Sequence, residues 1–164
     1  MRIIVAVSSD WGIGKDNKLL FSLKEDMRFF RETTMGKVVV MGKNTYLSLP
    51  KRPLKNRTNI VLSSTQFGDG AISVSSMDAL FAEISKYDTD EVYVMGGASM
   101  YRQMLPYCDI AYITKVKATA EADTYFTDLD AHPDWECVQE RDAEDTYPIT
   151  FCTYKNNNVK RYEI

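Results

Sequence analysis

The sequence is short of almost everything that would tie it to a metal, an oxidising compartment or a polyanion. It has one histidine and three cysteines: Cys108, Cys137 and Cys152. The cysteines are odd in number, far apart and without a CxxC pair, which argues against a disulfide framework and against a zinc site. No run of basic residues occurs and the formal net charge is -3, so neither nucleic acid nor an anionic membrane is an expected partner. The N-terminus MRIIVAVSSD is apolar for only five residues, too few for a signal peptide or a membrane span. Linkers, repeats and low-complexity tracts are also missing. With 45% hydrophobic and 26% charged residues over 164 positions, the expectation is one domain, residues 1–164, with a real core. A reduced, cytoplasmic setting follows from the cysteine usage.

What is present is alternation. Apolar, β-branched runs at Ile3–Val7, Val38–Met41, Asn59–Leu62, Val92–Met95 and Ile110–Val116 read as buried strands. Helical patterns lie between them at Leu23–Thr33, near Thr45–Leu49, at Met77–Ser85 and at Ala98–Leu105. This predicts a mostly parallel α/β sheet. WECVQE and ITFCTYK alternate as half-buried strands do, predicting an antiparallel edge hairpin with its loop at Asp142–Tyr147. Ligands of such sheets bind beyond the carboxyl ends of the strands.

The segment FSLKEDMRFFRET, Phe21–Thr33, makes an amphipathic helix at about 100° per residue. Lys24, Glu25, Arg28, Arg31 and Glu32 share the polar side. Leu23, Phe29, Phe30 and Thr33 share the other, and Asp26 falls among them. Ser22 followed by Glu25 predicts a capping box. A partly buried carboxylate has a raised pKa and suits proton transfer. Two blander readings stay open: Asp26 favours the helix N-terminal dipole, or a neighbour neutralises it.

Two strand–glycine–helix turns, VMGKNT (Val40–Thr45) and VMGGASMY (Val94–Tyr101), offer close backbone approach and free N–H groups to anions. Together they could clamp the two ends of a dinucleotide, although neither is a GxGxxG or a P-loop. Lys43 adds charge, and Thr45, Ser99, Ser63 and Ser64 add hydroxyls. In the stiff basic loop PKRPLKNRTN (Pro50–Asn59), Arg52 or Arg57 could pair bidentately with a carboxylate. A plain solvated loop is the alternative. His132 reads as a loop residue.

Taken in order, IGKDNKLL, DMRFFRETTMGKVVVMGKNTYLSL, RPLKNRTNIVLSS, VYVMGGASMYRQMLP, YITKV and ADTYF closely resemble bacterial-type dihydrofolate reductase over nearly the whole chain. The resemblance implies a mixed, mostly parallel eight-stranded sheet with helices on both faces and an antiparallel C-terminal hairpin. It implies NADPH-dependent reduction of 7,8-dihydrofolate to tetrahydrofolate and antifolate inhibitors; no self-association motif is evident, so a monomer is expected, and no metal is expected from the cysteine and histidine content. Asp26 matches the family's acid, which hydrogen-bonds the pterin, and Thr114 its supporting threonine. The carbonyls of Ile4 and Met95, with Val5, match those around the pterin amino group. Met27, Phe30, Leu49 and Leu54 match the apolar walls. Arg57, with Arg52 nearby, matches the arginine that grips the glutamate carboxylate.

The NADPH positions matched are Ala6, Ile13, Gly14 and Lys18 near the first loop, and Lys43, Asn44 and Thr45 at the first turn. Leu62, Ser63 and Ser64 follow, then Gly96, Gly97, Ala98, Ser99, Met100 and Tyr101, and Thr124. The loop Ser8–Leu23 is expected to close over the nicotinamide, with Gly12 and Gly14 permitting motion. Phe21 stands in the catalytic group where relatives carry a tryptophan whose N–H commonly holds a water. Ser99 and Ser75 are neutral where relatives are often basic, which leaves Lys43 as the main cation for a 2′-phosphate. Ala122 replaces a frequent glycine. Alternatives are a related pyrimidine or pterin reductase on the same fold, and a non-catalytic nucleotide-binding domain.

Overall fold

The computed structural model describes residues 1–162. The chain starts with β1 (Arg2–Val7), a small hairpin of β2 (Gly12–Lys15) and β3 (Lys18–Leu19), and α1 (Lys24–Thr34). Then come β4 (Val38–Gly42), α2 (Lys43–Ser48), β5 (Thr58–Leu62), β6 (Ile72–Val74) and α3 (Met77–Ile84). They are followed by β7 (Val92–Gly96), α4 (Ala98–Met104), β8 (Ile110–Val116) and β9 (Thr124–Tyr125). β10 (Trp135–Ala143) and β11 (Ile149–Asn156) end the sequence of elements.

Eight strands form one sheet in the order β10-β11-β8-β1-β7-β4-β5-β6. All pairs are parallel except β10–β11 and β11–β8. The apolar runs are continuous because both faces are covered. In β4, Val38 and Val40 face a large core that includes Leu80, Phe81 and Ile84 of α3 and Met100, Tyr101 and Met104 of α4. Val39 and Met41 point the other way, onto Tyr46 of α2 and Val61. α1 lies on that second side, where Phe29 meets Tyr112 and Phe151 with ring centroids 6.0 and 4.8 Å apart. Among the described residues no helix is long and apolar enough to cross a membrane.

The larger expected elements are present with ends shifted by a residue or two. The hairpin loop is tighter than Asp142–Tyr147, because β10 runs to Ala143 and β11 starts at Ile149. Unforeseen was a second sheet of three short strands, β3-β2-β9, whose residues carry no periodic pattern. Asp16 and Asn17 turn the β2–β3 hairpin with φ of 52° and 62°, as a two-residue loop of left-handed residues requires. The Asp16 N–H donates to Asp123 Oδ2 at 2.9 Å, and Lys15 pairs with Glu121.

This docking gives the two glycines a packing role. A Cβ on Gly12 would meet the Ala122 methyl at 2.9 Å, and one on Gly14 would meet Thr124 Oγ1 at 2.9 Å and the Lys18 carbonyl oxygen at 3.0 Å. Here glycine allows close packing of the loop. Gly14→Ala should therefore undock the small sheet at a cost of about 1–3 kcal/mol of overpacking. Amide exchange at residues 12–19 and 124–125 should speed by roughly tenfold or more, since about 1.4 kcal/mol is one decade, while the melting temperature falls by roughly 2–4 °C per kcal/mol lost. Unchanged protection in both segments would refute this account.

Candidate active site

α1 presents Asp26 in its first turn, against β8. The Thr114 hydroxyl, on a residue only 2% exposed, donates to Asp26 Oδ1 at 2.7 Å. The β1–β8 register puts Ala6 beside Thr114. Burial pushes the Asp26 carboxyl above the usual carboxylate range, the Thr114 hydrogen bond opposes this, and the negative charge of Asp145 adds to the rise. Tyr101 is also close: its phenol is raised by burial and further by the Asp26 charge. The Tyr101 hydroxyl donates to the Ile4 carbonyl at 2.9 Å.

The helix start differs from the expected capping box. Leu23 is the N-cap and no side chain caps from that position. The Ser22 hydroxyl lies 3.6 Å from Met27 Sδ. The cap comes from the far hairpin: Asp145 Oδ2 accepts the Glu25 N–H at 2.6 Å. Burial works to raise the Asp145 carboxyl, but the N–H groups of Thr146, Glu25, Lys24 and Asp26 outweigh it and hold it low. Its neighbour Tyr147 meets Phe21 edge-to-face at 5.5 Å. Phe21 thereby belongs to a small cluster around Leu23, Val116 and Ile149.

The strand ends gather the two glycine turns. β4 and β7 are neighbours, so α2 and α4 begin side by side. Thr45 Oγ1 lies 3.1 Å from where a Gly96 Cβ would sit, and Gly96 has φ +140°, a backbone that glycine alone adopts readily. The Gly96–Gly97 peptide is cis. Gly42 and Gly97, the N-caps of α2 and α4, make no side-chain cap, which leaves first-turn N–H groups for an anion. Lys43, Asn44, Ser64 and Ser99 are exposed around them, while Ala98 is half-buried and Met100 buried. Ser99 Oγ accepts from Gln103 Nε2 at 3.0 Å. On β5, half-buried Leu62 precedes Ser63, whose Oγ accepts the Thr65 N–H at 3.0 Å.

Other candidates sort by place. Leu49, Leu54 and Met95 are half-buried against the Val39–Met41–Tyr46 cluster. Val5, Ala6 and Phe30 are half-buried and Met27 is 60% exposed. Ile13 and Gly14 are buried in the docked loop, with Lys18 and Thr124 on its surface. Arg52 lies over the Tyr46 ring, 5.6 Å from its centroid. Arg57 donates from Nη1 to Thr34 Oγ1 at 3.2 Å and from Nε to the Lys55 carbonyl at 2.9 Å. Burial, then Arg31 beside it, lowers its pKa. No ion pair among the described residues includes it, so it is a partly desolvated cation. His132 stays in its loop, Nδ1 accepting the Asp134 N–H at 3.1 Å.

The family model for dihydrofolate reductase matches residues 1–156. The chain belongs to the dihydrofolate reductase family. The dihydrofolate reductase of Haemophilus influenzae is 35% identical over 154 residues, covering 91% of this chain and 94% of that protein. That of Bacillus subtilis is 34% identical over 167 residues, covering 98% and 97%. A solved structure, dihydrofolate reductase from Enterococcus faecalis complexed with NADP(H) and RAB-propyl, superposes with a TM-score of 0.84 at 32% identity, over 95% of both chains.

Within this reductase, Asp145 is the residue that sequence reading missed; no local signal joins it to a helix 120 positions away. Asparagine caps as well as aspartate, so Asp145→Asn should keep the melting temperature while letting the Asp26 pKa fall. Asp145→Ala should lower both. Titration of the Asp26 carboxyl by NMR checks this, and an Asp26 pKa unmoved in Asp145→Asn would show that the charge is not felt.

Proposed function

We propose that Asp26 is the proton-holding group of this dihydrofolate reductase, steadied by Thr114, and that the two glycine turns and Arg57 hold cofactor and substrate around it. The reaction is NADPH-dependent reduction of 7,8-dihydrofolate to tetrahydrofolate. The observation that carries the assignment is a half-buried carboxylate with one neutral hydrogen-bond partner, its pKa raised by desolvation.

The residues fit NADPH: uncapped first-turn N–H groups at α2 and α4 suit a pyrophosphate, and Gly96, with φ +140°, turns the backbone where a side chain would crowd Thr45. Lys43, exposed at the start of α2, suits a 2′-phosphate, with Ser63 and Ser64 as donors. When bound, NADPH supplies the hydride delivered to C6. The chain's own part is orientation, exclusion of water and proton supply to N5. Asp26, raised by burial, keeps a proton to higher pH than a surface aspartate and raises proton availability at N5 through its hydrogen bonds. Phe30, Leu49 and Leu54 wall the pterin and benzoyl rings, the Ile4 and Met95 carbonyls face the pterin amino group, and Arg57 takes the glutamate carboxylate. The docked loop with Ile13, Gly14 and Lys18 covers the nicotinamide. We read residues 1–164 as one reductase domain, monomeric and cytoplasmic, bound by antifolates and not by nucleic acid.

Asp26→Asn should lower turnover near neutral pH by roughly 10²–10⁴, the usual worth of an acid–base group. Residual activity should climb as pH falls, because solvent can then supply the proton. The folded pKa lies above the ordinary 3.8, so the native state binds the proton more tightly than the unfolded state. Stability is full below 3.8 and declines as pH rises through the folded pKa. Asp26→Asn should thus be more stable than the parent at neutral pH and lose that advantage in acid. An absorbance assay of NADPH oxidation and pH-dependent denaturation measure both effects; parental turnover at neutral pH would remove Asp26 from the reaction.

Arg57→Leu should weaken dihydrofolate binding by about 2–5 kcal/mol, the cost of truncating one partner of a buried charge pair. Binding of a pterin without the glutamate tail should hold. Equal losses for the two ligands, measured by fluorescence titration, would make Arg57 structural.

A further inference from the structure

We propose that Cys137, Glu140 and Cys152, on the outer hairpin and apart from the folate site, form a binding site for a borderline-soft divalent cation such as Zn2+. The three side chains offer two sulfurs and a carboxylate oxygen, all within 4.8 Å of one another. Cys137 Sγ stands 3.6 Å from Glu140 Oε1.

The arrangement depends on a β-bulge. Residues three apart on a regular strand point to opposite faces, so Cys137 and Glu140 should diverge. The register shifts between Cys137, opposite Tyr154, and Gln139, opposite Thr153. Val138 is the extra residue, and it turns out to solvent at 51% exposure. Such an insertion re-aims the following side chains, so Glu140 returns to the face of Cys137. Glu140 pairs with Cys152 across the strands, which adds the second thiol. Tight and isolated bulges bend a strand without gathering ligands; this one gathers a donor set.

The chemistry suits a zinc-like ion. Two thiolates and one carboxylate with an open fourth position for water match its preference, at about 2.3 Å to sulfur and roughly 2.0–2.2 Å to oxygen. Cys137 and Glu140 are exposed and Cys152 is buried, so the ion has an entry side and an anchored ligand. Binding forms two M–S bonds and one M–O bond and releases both thiol protons to solvent. Three anionic ligands around a divalent ion leave one negative charge. Lys115 lies alongside and offsets it, while its own ion pair with Asp130 is 2.8 Å. The charged and titratable groups facing the thiols are Lys115, Glu140 and Tyr154, with Asp130 behind Lys115 and Tyr154. Burial raises both thiols, Cys152 to about 12. Without an ion they therefore stay protonated, and affinity should rise with pH by approaching two protons per ion.

The test is titration of the reduced, full-length protein with Cd2+, followed by its thiolate charge-transfer absorbance, and with Zn2+, followed by melting temperature. One ion per chain, a band of two thiolates and a higher melting temperature are expected. Cys137→Ser and Glu140→Gln change exposed side chains, so they should fold and keep dihydrofolate turnover. Cys137→Ser should lose most of the band and the Zn2+ stabilisation; Glu140→Gln should keep the band at weaker affinity. The proposal is overturned if the parent shows no band, or if Cys137→Ser binds Cd2+ with the parent's affinity and spectrum.

Discussion

One constraint organises the site: a carboxylate placed where water is scarce, with a single neutral hydroxyl to hold it. A salt bridge at Asp26 would have kept the charge and lowered the pKa. Thr114 orients the carboxyl without neutralising it. The fold adds a second acid, Asp145, near the same helix start, so the electrostatics push Asp26 further toward its protonated form. Asp145 keeps its own charge because four N–H groups surround it. Neighbouring carboxylates are driven in opposite directions by unlike surroundings, a division of labour that suits proton delivery.

Around that acid, the parallel sheet does the positioning. Strands that run the same way end on the same edge, so the turns after β4, β5 and β7 open toward one crevice. Thr45 packed against Gly96 locks two of those turns together. Both turns are therefore built from backbone, with Lys43 exposed at the start of α2. Arg57, half-buried beside Arg31, has no ion-pair partner among the described residues.

The antiparallel end of the sheet contributes more than an edge. Its loop reaches back to cap α1 and to hold Phe21 through Tyr147. Its β10 bulge gathers two thiols and a carboxylate on one face. The hairpin thus touches the acid-bearing helix at one end and carries a separate donor cluster along its strands.

Much was legible in the amino-acid order alone. Both-face burial makes strands continuously apolar, which exposed the parallel core; helical periodicity placed Asp26 on an apolar side; and glycine after a strand marked both strand–helix turns. These are local signals, carried by spacing within a dozen residues. The β2–β3–β9 sheet was not legible, because two-residue strands and glycines that serve close packing leave no period. The capping box at Ser22 was a sound local pattern that lost to Asp145, since a distant carboxylate already satisfied the helix N–H groups. Cysteine spacing argued against a metal, yet strand pairing sets Cys152 opposite Glu140, and a one-residue bulge brings Cys137 to the same face. Sequence determined which residues could bury, turn or carry charge. Tertiary structure decided which of them meet, because hydrogen bonds and ligand contacts act over a few ångströms in space, whatever their separation along the chain.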